Sequence, residues 1–261
     1  MKEIQLYGGG LDSYFVREYL KSQGRKFESI YFNIDSKYSK QEIETINEIN
    51  KNSPEPVNES ISIHWDFINL KQCEKSDAFI PNRNFLLIML TQSMYYDCNK
   101  IWVGSTKSDR VNDSNEETFD ELSNFLSNVH KRIIEISSPF WGMYKTDVIK
   151  WFDKRRNSNT KEIAKELLNN TFSCYYPKNE KTKEEYQITN ESNPIYTYDT
   201  YECMNCPACF RKSVELNSIN IFRKFRNLEV IEKYNKEFNN LIIPTPRSDA
   251  SLEYIKKLNE N

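Results

Sequence analysis

The sequence predicts an α/β fold of parallel strands linked by crossover helices, followed by a smaller region built around cysteines, and three observations predict it. Short β-branched or aromatic segments alternate with helical patterns from Glu3 to Ile136, the order that builds a parallel sheet. A glycine tripeptide, Gly8-Gly9-Gly10, joins the first strand-like segment to the first helix-like one. Cys174, Cys203, Cys206 and Cys209 gather in the last third of the chain.

The strands are expected at Glu3–Tyr7, Glu28–Asn33, Ser60–Trp65, Ile101–Gly104 and Ile133–Ile136, each short enough for a buried parallel strand. The helices between them are expected at Ser13–Gln23, Lys40–Lys51, Asn84–Tyr96 and Phe119–His130. In the last of these Phe119, Leu122, Phe125, Leu126 and Val129 fall on one face. Two more helices, Thr146–Lys154 and Thr160–Asn169, precede a polar stretch from Pro177 to Thr200 that reads as a partly disordered loop. Arg211–Asn239 is helical in composition, with Ile219, Phe222 and Phe225 as its core face. This divides the chain into an α/β domain over 1–170, a cysteine loop with C-terminal helices over 171–245, and a frayed tail over 246–261.

A chain of 261 residues can bury a sizeable core. Lys and Arg number 36 against 38 Asp and Glu, a net charge of −2, which argues against gripping nucleic acid or anionic membrane by bulk charge. His64 and His130 are the only histidines, so two-histidine zinc hydrolysis has almost no ligands to draw on. The longest apolar run, Phe85–Leu90, falls far short of the ~20 residues that span a bilayer. Met1 leads directly into a strand-like segment with no signal-peptide pattern, so a cytoplasmic location is expected. There, clustered cysteines are metal ligands more often than disulfides.

A strand entering Gly8-Gly9-Gly10-Leu11-Asp12-Ser13 and then a helix is the geometry of a phosphate site. Glycine lets the backbone approach the ligand, and unpaired N–H groups at the helix start face an anion. The P-loop pattern Gly-x-x-x-x-Gly-Lys-Ser/Thr is absent, and a dinucleotide fingerprint would need glycine where Ser13 stands. A tight turn without a ligand remains the plain alternative. The segment resembles the Ser-Gly-Gly-x-Asp-Ser loop of the PP-loop ATP pyrophosphatase superfamily, with Gly8 in place of the first serine. The resemblance implies ATP bound by Gly8, Gly9, Gly10, Leu11, Asp12 and Ser13, with Asp12 helping to place Mg²⁺. Asp35, beside Ser36 after the second strand, falls where the superfamily contacts adenosine.

Cys203-Met-Asn-Cys206-Pro-Ala-Cys209, with Cys174 upstream, offers four thiolates, and a closed tetrahedral set of this kind is a structural zinc site. A [4Fe–4S] cluster competes, but the ferredoxin run needs a cysteine where Ser213 stands. Cys73 and Cys98 read as ordinary thiols.

Five separated segments, in order, resemble the 7-cyano-7-deazaguanine synthase family: the glycine loop, Pro81-Asn82-Arg83-Asn84, Ile101–Gly104 followed by Asp109, Phe140–Ile149 with Lys145, and Thr171–Tyr175 with Cys203–Lys212. The resemblance implies a PP-loop sheet flanked by helices, a homodimer, and an ATP-consuming enzyme that adenylates the carboxylate of 7-carboxy-7-deazaguanine. Arg83 and Lys145 would be the cations that stabilise the developing phosphate charge, and Asp12 the catalytic carboxylate that helps place Mg²⁺ or fixes the loop. Arg83, Asn84, Asp109 and Asp113 would hold the substrate. Zn²⁺ would sit on Cys174, Cys203, Cys206 and Cys209. Between Asp109 and Phe119 the family's Tyr-Pro-Asp-Cys stretch is missing. With Gly8, that departure implies a diverged paralogue of phage or anti-phage defence type, whose acceptor is ammonia, another amine or a protein. A tRNA-thiolation enzyme of the same superfamily and a nucleotide-binding scaffold without turnover remain the competing readings.

Overall fold

The computed structural model describes residues 2–52, 60–64, 69–75, 78–109, 113–190 and 194–260. These divide into two compact units, Met1–Met143 and Tyr144–Asn261. The helices Lys145–Arg156 and Thr160–Asn170 group with the C-terminal elements.

The first unit holds five strands, β1 (Lys2–Leu6), β2 (Glu28–Phe32), β3 (Ile61–His64), β4 (Cys98–Trp102) and β5 (Glu135–Ser137). All pair in parallel, in the order β3-β2-β1-β4-β5. Its helices are α1 (Leu11–Ser22), α2 (Ser39–Asn52), α3 (Arg83–Met94) and α4 (Glu116–His130). The expected strand end at Trp65 lies outside the described residues.

Side chains alternate across the sheet, as the period of a strand demands. Ile4, Ile30, Ile101 and Ile136 pack on one face with Ile88 of α3 and Phe119 and Leu126 of α4. Tyr31 and Ile61 pack on the other with Ile43, Ile46 and Ile49 of α2. The α4 stripe is wider than the surface it covers. Phe119 and Leu126 are buried, whereas Phe125 and Val129 are more than half exposed.

The strand order reverses between β1 and β4, so the chain leaves these neighbouring strands toward opposite sides. Ligands of open α/β sheets settle at the carboxyl ends of such a pair. The glycine tripeptide follows β1 and Gly104 follows β4.

The second unit contains α5 (Lys145–Arg156), α6 (Thr160–Asn170), β6 (Thr182–Ile188), β7 (Ile195–Thr200), α7 (Pro207–Asn217), β8 (Ile221–Arg223), α8 (Leu228–Asn239) and α9 (Pro246–Glu260). Three sequence expectations are corrected here. The polar stretch expected as a loop forms β6 and β7, an antiparallel pair in a sheet of order β7-β6-β8. Its alternation is disguised because the inward face of β6 carries Glu184 beside Tyr186 and Ile188. Glu184 is taken up by Lys178 at 2.8 Å and by Arg226.

Ile219, Phe222 and Phe225 lie on a turn, on β8 and just after it, not on a helix face. All three are buried within the unit. The expected frayed tail is α9, whose Tyr254 and Ile255 are buried. Tyr254 packs edge-on against Phe210 of α7, with ring centroids 5.7 Å apart, and its hydroxyl donates to the Arg223 carbonyl.

A buried ionic cluster ties this unit together. Lys212 Nζ donates to Glu202 Oε1 and to the Thr171 carbonyl, both at 2.7 Å, and Arg223 Nη2 donates to Glu202 Oε2 at 2.6 Å. Burial pushes the Glu202 carboxyl up, but Lys212 and Arg223 outweigh it and hold the group below the ordinary carboxylate range. Removing one partner of such a set strands a charge in a low-dielectric interior. Arg223→Met is therefore expected to destabilise the protein by about 3–5 kcal/mol, read as a lower urea midpoint.

Candidate functional site

Gly10 precedes α1 in an extended conformation, φ −84° and ψ 172°, and Gly9 turns the chain with φ +73°, a value that favours glycine. Ser13 closes the loop. Its Oγ accepts from Gly8 N–H at 3.2 Å and donates to the Gly10 carbonyl at 3.0 Å. Underneath, buried Gln5 on β1 donates to the Ser13 carbonyl at 2.6 Å and accepts from Ser29 of β2 at 2.7 Å. A brace of side-chain bonds thus locks the start of α1 to two strands.

The neighbouring strand supplies the fourth glycine of the site. A Cβ at Gly104 would lie 3.0 Å from Ser13 N and 3.1 Å from Asp12 C and Cβ. Backbone atoms cannot rotate aside, so only glycine lets the chain after β4 run this close to the glycine loop. Gly8, by contrast, has nothing within 4 Å of where its Cβ would be.

Asp35 has φ +52°, and its Oδ2 accepts from Asn69 Nδ2 at 2.8 Å. Arg83 is the first residue of α3, which follows Asn82 at φ +58°, and its Nη1 donates to Tyr38 OH at 3.4 Å. Asn84 and Asp113 are brought together. Asn84 N–H donates to Asp113 Oδ2 at 3.3 Å, and its amide to the Asp113 carbonyl at 3.2 Å. Asp109 accepts from Thr106 N–H at 2.8 Å within a tight turn. Residues 110–112, part of the departing segment, lie outside the described residues. Lys145 opens α5 in the second unit.

Sequence reasoning missed Glu42, Gln5 and Ser29 in the first unit, and Glu202 and Arg223 in the second. Gln5 carried a signal, a lone amide inside an apolar strand. Glu42 did not, because it reads as one more charge in an exposed helical turn.

The four expected cysteine ligands converge. Their sulfurs lie within 4.8 Å of one another, with separations of 3.5 Å for Cys206–Cys209 and 3.9 Å for both Cys203–Cys209 and Cys174–Cys206. A Zn–S bond of ~2.3 Å gives tetrahedral edges of about 3.8 Å, so these spacings fit Zn²⁺. Met204 makes the turn between Cys203 and Cys206 at φ +58°, and Cys206 caps α7 with Pro207 at its first position. Three backbone N–H groups point at sulfur: Cys203 to Cys174 at 3.3 Å, Asn205 to Cys203 and Tyr175 to Cys206, both at 3.4 Å. Hydrogen bonding among the four sulfurs lowers the Cys203 and Cys206 thiols and raises those of Cys174 and Cys209. Burial pushes the Cys98 thiol up to about 11.

The model of the family described as "Queuosine biosynthesis protein QueC" matches residues 2–220. The chain belongs to the QueC family. A 7-cyano-7-deazaguanine synthase of Methanocaldococcus jannaschii is 22% identical over 245 residues, covering 81% of this chain and 93% of the relative. The synthase of Pseudoalteromonas atlantica is 23% identical over 172 residues, 57% of this chain and 76% of the relative. Among solved structures, a predicted tRNA methyltransferase subunit from M. jannaschii gives a TM-score of 0.35 at 14% identity, covering 60% of this chain and 89% of its own. PH1313 of Pyrococcus horikoshii gives 0.33 at 11%, covering 60% and 42%. No helix among the described residues is long and apolar enough to cross a membrane.

Two predictions follow from the geometry of this QueC chain. Gly104→Ala should cost about 1–3 kcal/mol by overpacking, whereas Gly8→Ala should stay within about 0.5 kcal/mol; thermal denaturation compares them. Elemental analysis should find one zinc per chain, and its removal by a chelator should lower the melting temperature.

Proposed function

We propose that this QueC-family chain is an ATP-dependent carbon–nitrogen ligase that adenylates the carboxylate of 7-carboxy-7-deazaguanine, or a close analogue, and passes the acyl group to a nitrogen nucleophile. The observation that carries the reading is the Gly8–Ser13 loop at the reversal of strand order, with Gly104 pressed against it, in a chain whose relatives are named 7-cyano-7-deazaguanine synthase.

The substrate carboxylate oxygen attacks the α-phosphorus of ATP and pyrophosphate leaves, giving an acyl adenylate. The nitrogen nucleophile then attacks the acyl carbon, AMP leaves with the carboxylate oxygen, and the nitrogen loses a proton. With ammonia the product is an amide. The amide oxygen then attacks the α-phosphorus of a second ATP and pyrophosphate leaves; loss of AMP with that oxygen and of both N–H protons gives the nitrile.

In this reading the N–H groups of Gly9 and Gly10 and the Ser13 hydroxyl hold the pyrophosphate, with Gly8 and Leu11 shaping the loop. Asp12, on the first turn of α1, would orient a Mg²⁺ ion, which when bound neutralises phosphate charge. Arg83 and Lys145 stabilise the charge that develops on the leaving group. Asp35 faces the adenosine, and Asn84, Asp109 and Asp113 hold the base. Cys174, Cys203, Cys206 and Cys209 hold Zn²⁺ with no open position, which gives it a structural role.

The segment after Asp109 supports an altered acceptor side. The family's Tyr-Pro-Asp-Cys stretch is missing between Asp109 and Phe119, and the acceptor is ammonia, another amine, or a protein amine in a defence setting.

Incubation with ATP, Mg²⁺ and 7-carboxy-7-deazaguanine is expected to release AMP and pyrophosphate in proportion to the acid. Asp12→Ala should lower that rate at least about a hundredfold with an unchanged circular-dichroism spectrum. A wild-type protein that makes no acid-dependent AMP would overturn the reading, and mass spectrometry of the products identifies the acceptor.

A further inference from the structure

Glu42 lies in the first turn of α2, directly against the phosphate loop. A Cβ at Gly9 would sit 3.6 Å from Glu42 Cβ and Cγ. Tyr31 OH donates to Glu42 Oε2 at 2.7 Å. The groups that act on this carboxyl come from four elements: Tyr31 of β2, Tyr38 of the loop before α2, Glu74 just after the turn Lys71–Cys73, and Arg83 of α3. Glu74 accepts from Lys37 N–H at 3.2 Å and pushes toward the neutral form, while Arg83 and the Tyr31 hydroxyl favour the ionised one.

Ionised Glu42, set against Gly9 of the loop, repels a phosphate bound there. A proton on Glu42 removes that repulsion. Close charges in a partly dry site interact by several kcal/mol, and one pK unit is about tenfold in an equilibrium constant.

We infer that Glu42 is a further residue of the phosphate site: packed against Gly9, its carboxylate repels an anion while ionised, and it takes up a proton when anionic phosphate binds. The inference rests on the reading that the Gly8–Ser13 loop binds nucleotide. Burial, outweighing Tyr31 and Arg83, pushes the Glu42 carboxyl up to about 7 in the free protein, so the exchange falls in the physiological range. A nearby anion raises it further. Binding is then strongest below this value, takes up a proton near it, and weakens as pH rises through it.

Calorimetry of MgATP binding tests this, because the phosphates of MgATP stay ionised from about pH 6 to about pH 8.5. Wild-type affinity is expected to fall about tenfold across that range, with proton uptake revealed by different binding heats in two buffers of unlike ionisation enthalpy. Glu42→Gln should bind MgATP with little pH dependence, at an affinity near the low-pH wild-type value, and without proton uptake. Equal wild-type affinity at both ends of the range, or pH dependence retained in Glu42→Gln, would overturn the role of Glu42 alone. Failure to bind MgATP at any pH would overturn the nucleotide reading and this inference with it. If Glu42→Gln does not fold, wild-type proton uptake decides by itself.

Discussion

Where the chain leaves β4, Gly104 passes so close to the first turn of α1 that a single added carbon would meet backbone at 3.0 Å. The Gly8–Ser13 loop depends on this contact. The loop's hydrogen bonds are local, from Gly8 to Ser13 and from Ser13 to Gly10, and by themselves would leave the turn free to pivot on its glycines. Gln5 anchors it from below through Ser29, and Gly104 closes it from the side. These contacts from β1, β2 and the end of β4 fix the N–H groups of the loop with almost no side-chain bulk.

Much of this arrangement was legible in the sequence. The five parallel strands and their helices follow from alternation of short apolar segments with helical patterns, and observed boundaries fall within a few residues of those expected. The cysteine set was legible because thiolate spacing is a local property. What resisted was whatever took its meaning from partners far along the chain. Glu184 made β6 look like a solvated loop until Lys178 and Arg226 are seen to take up its charge. Phe222 looked helical among charged neighbours, yet its register with Gln187 of β6 makes it strand. Tyr254 gave the last segment no clear stripe, but it inserts against Phe210. Asp113 and Asn84 were singled out for a substrate, and the structure shows them also bonded to each other.

In the second unit the charge balance explains an otherwise costly cluster. Four thiolates around a divalent zinc would carry a net charge of −2, and Lys212 and Arg223 with Glu202 contribute a net +1 beside it, each of the three almost fully buried. Arg223 also lies over the Tyr198 ring, 5.5 Å from its centroid. Hydrogen bonds to sulfur and nearby cations disperse the charge of the set, the usual means by which surroundings tune a metal centre.

The same cysteines bracket the β6–β7 hairpin, since Cys174 precedes it and Cys203 follows it. A metal on the four sulfurs would therefore tie off the hairpin as a closed loop with both ends fixed. Closing a loop costs only about 0.6 kcal/mol more for each doubling of its length, so the metal centre would set little limit on how long the hairpin can be.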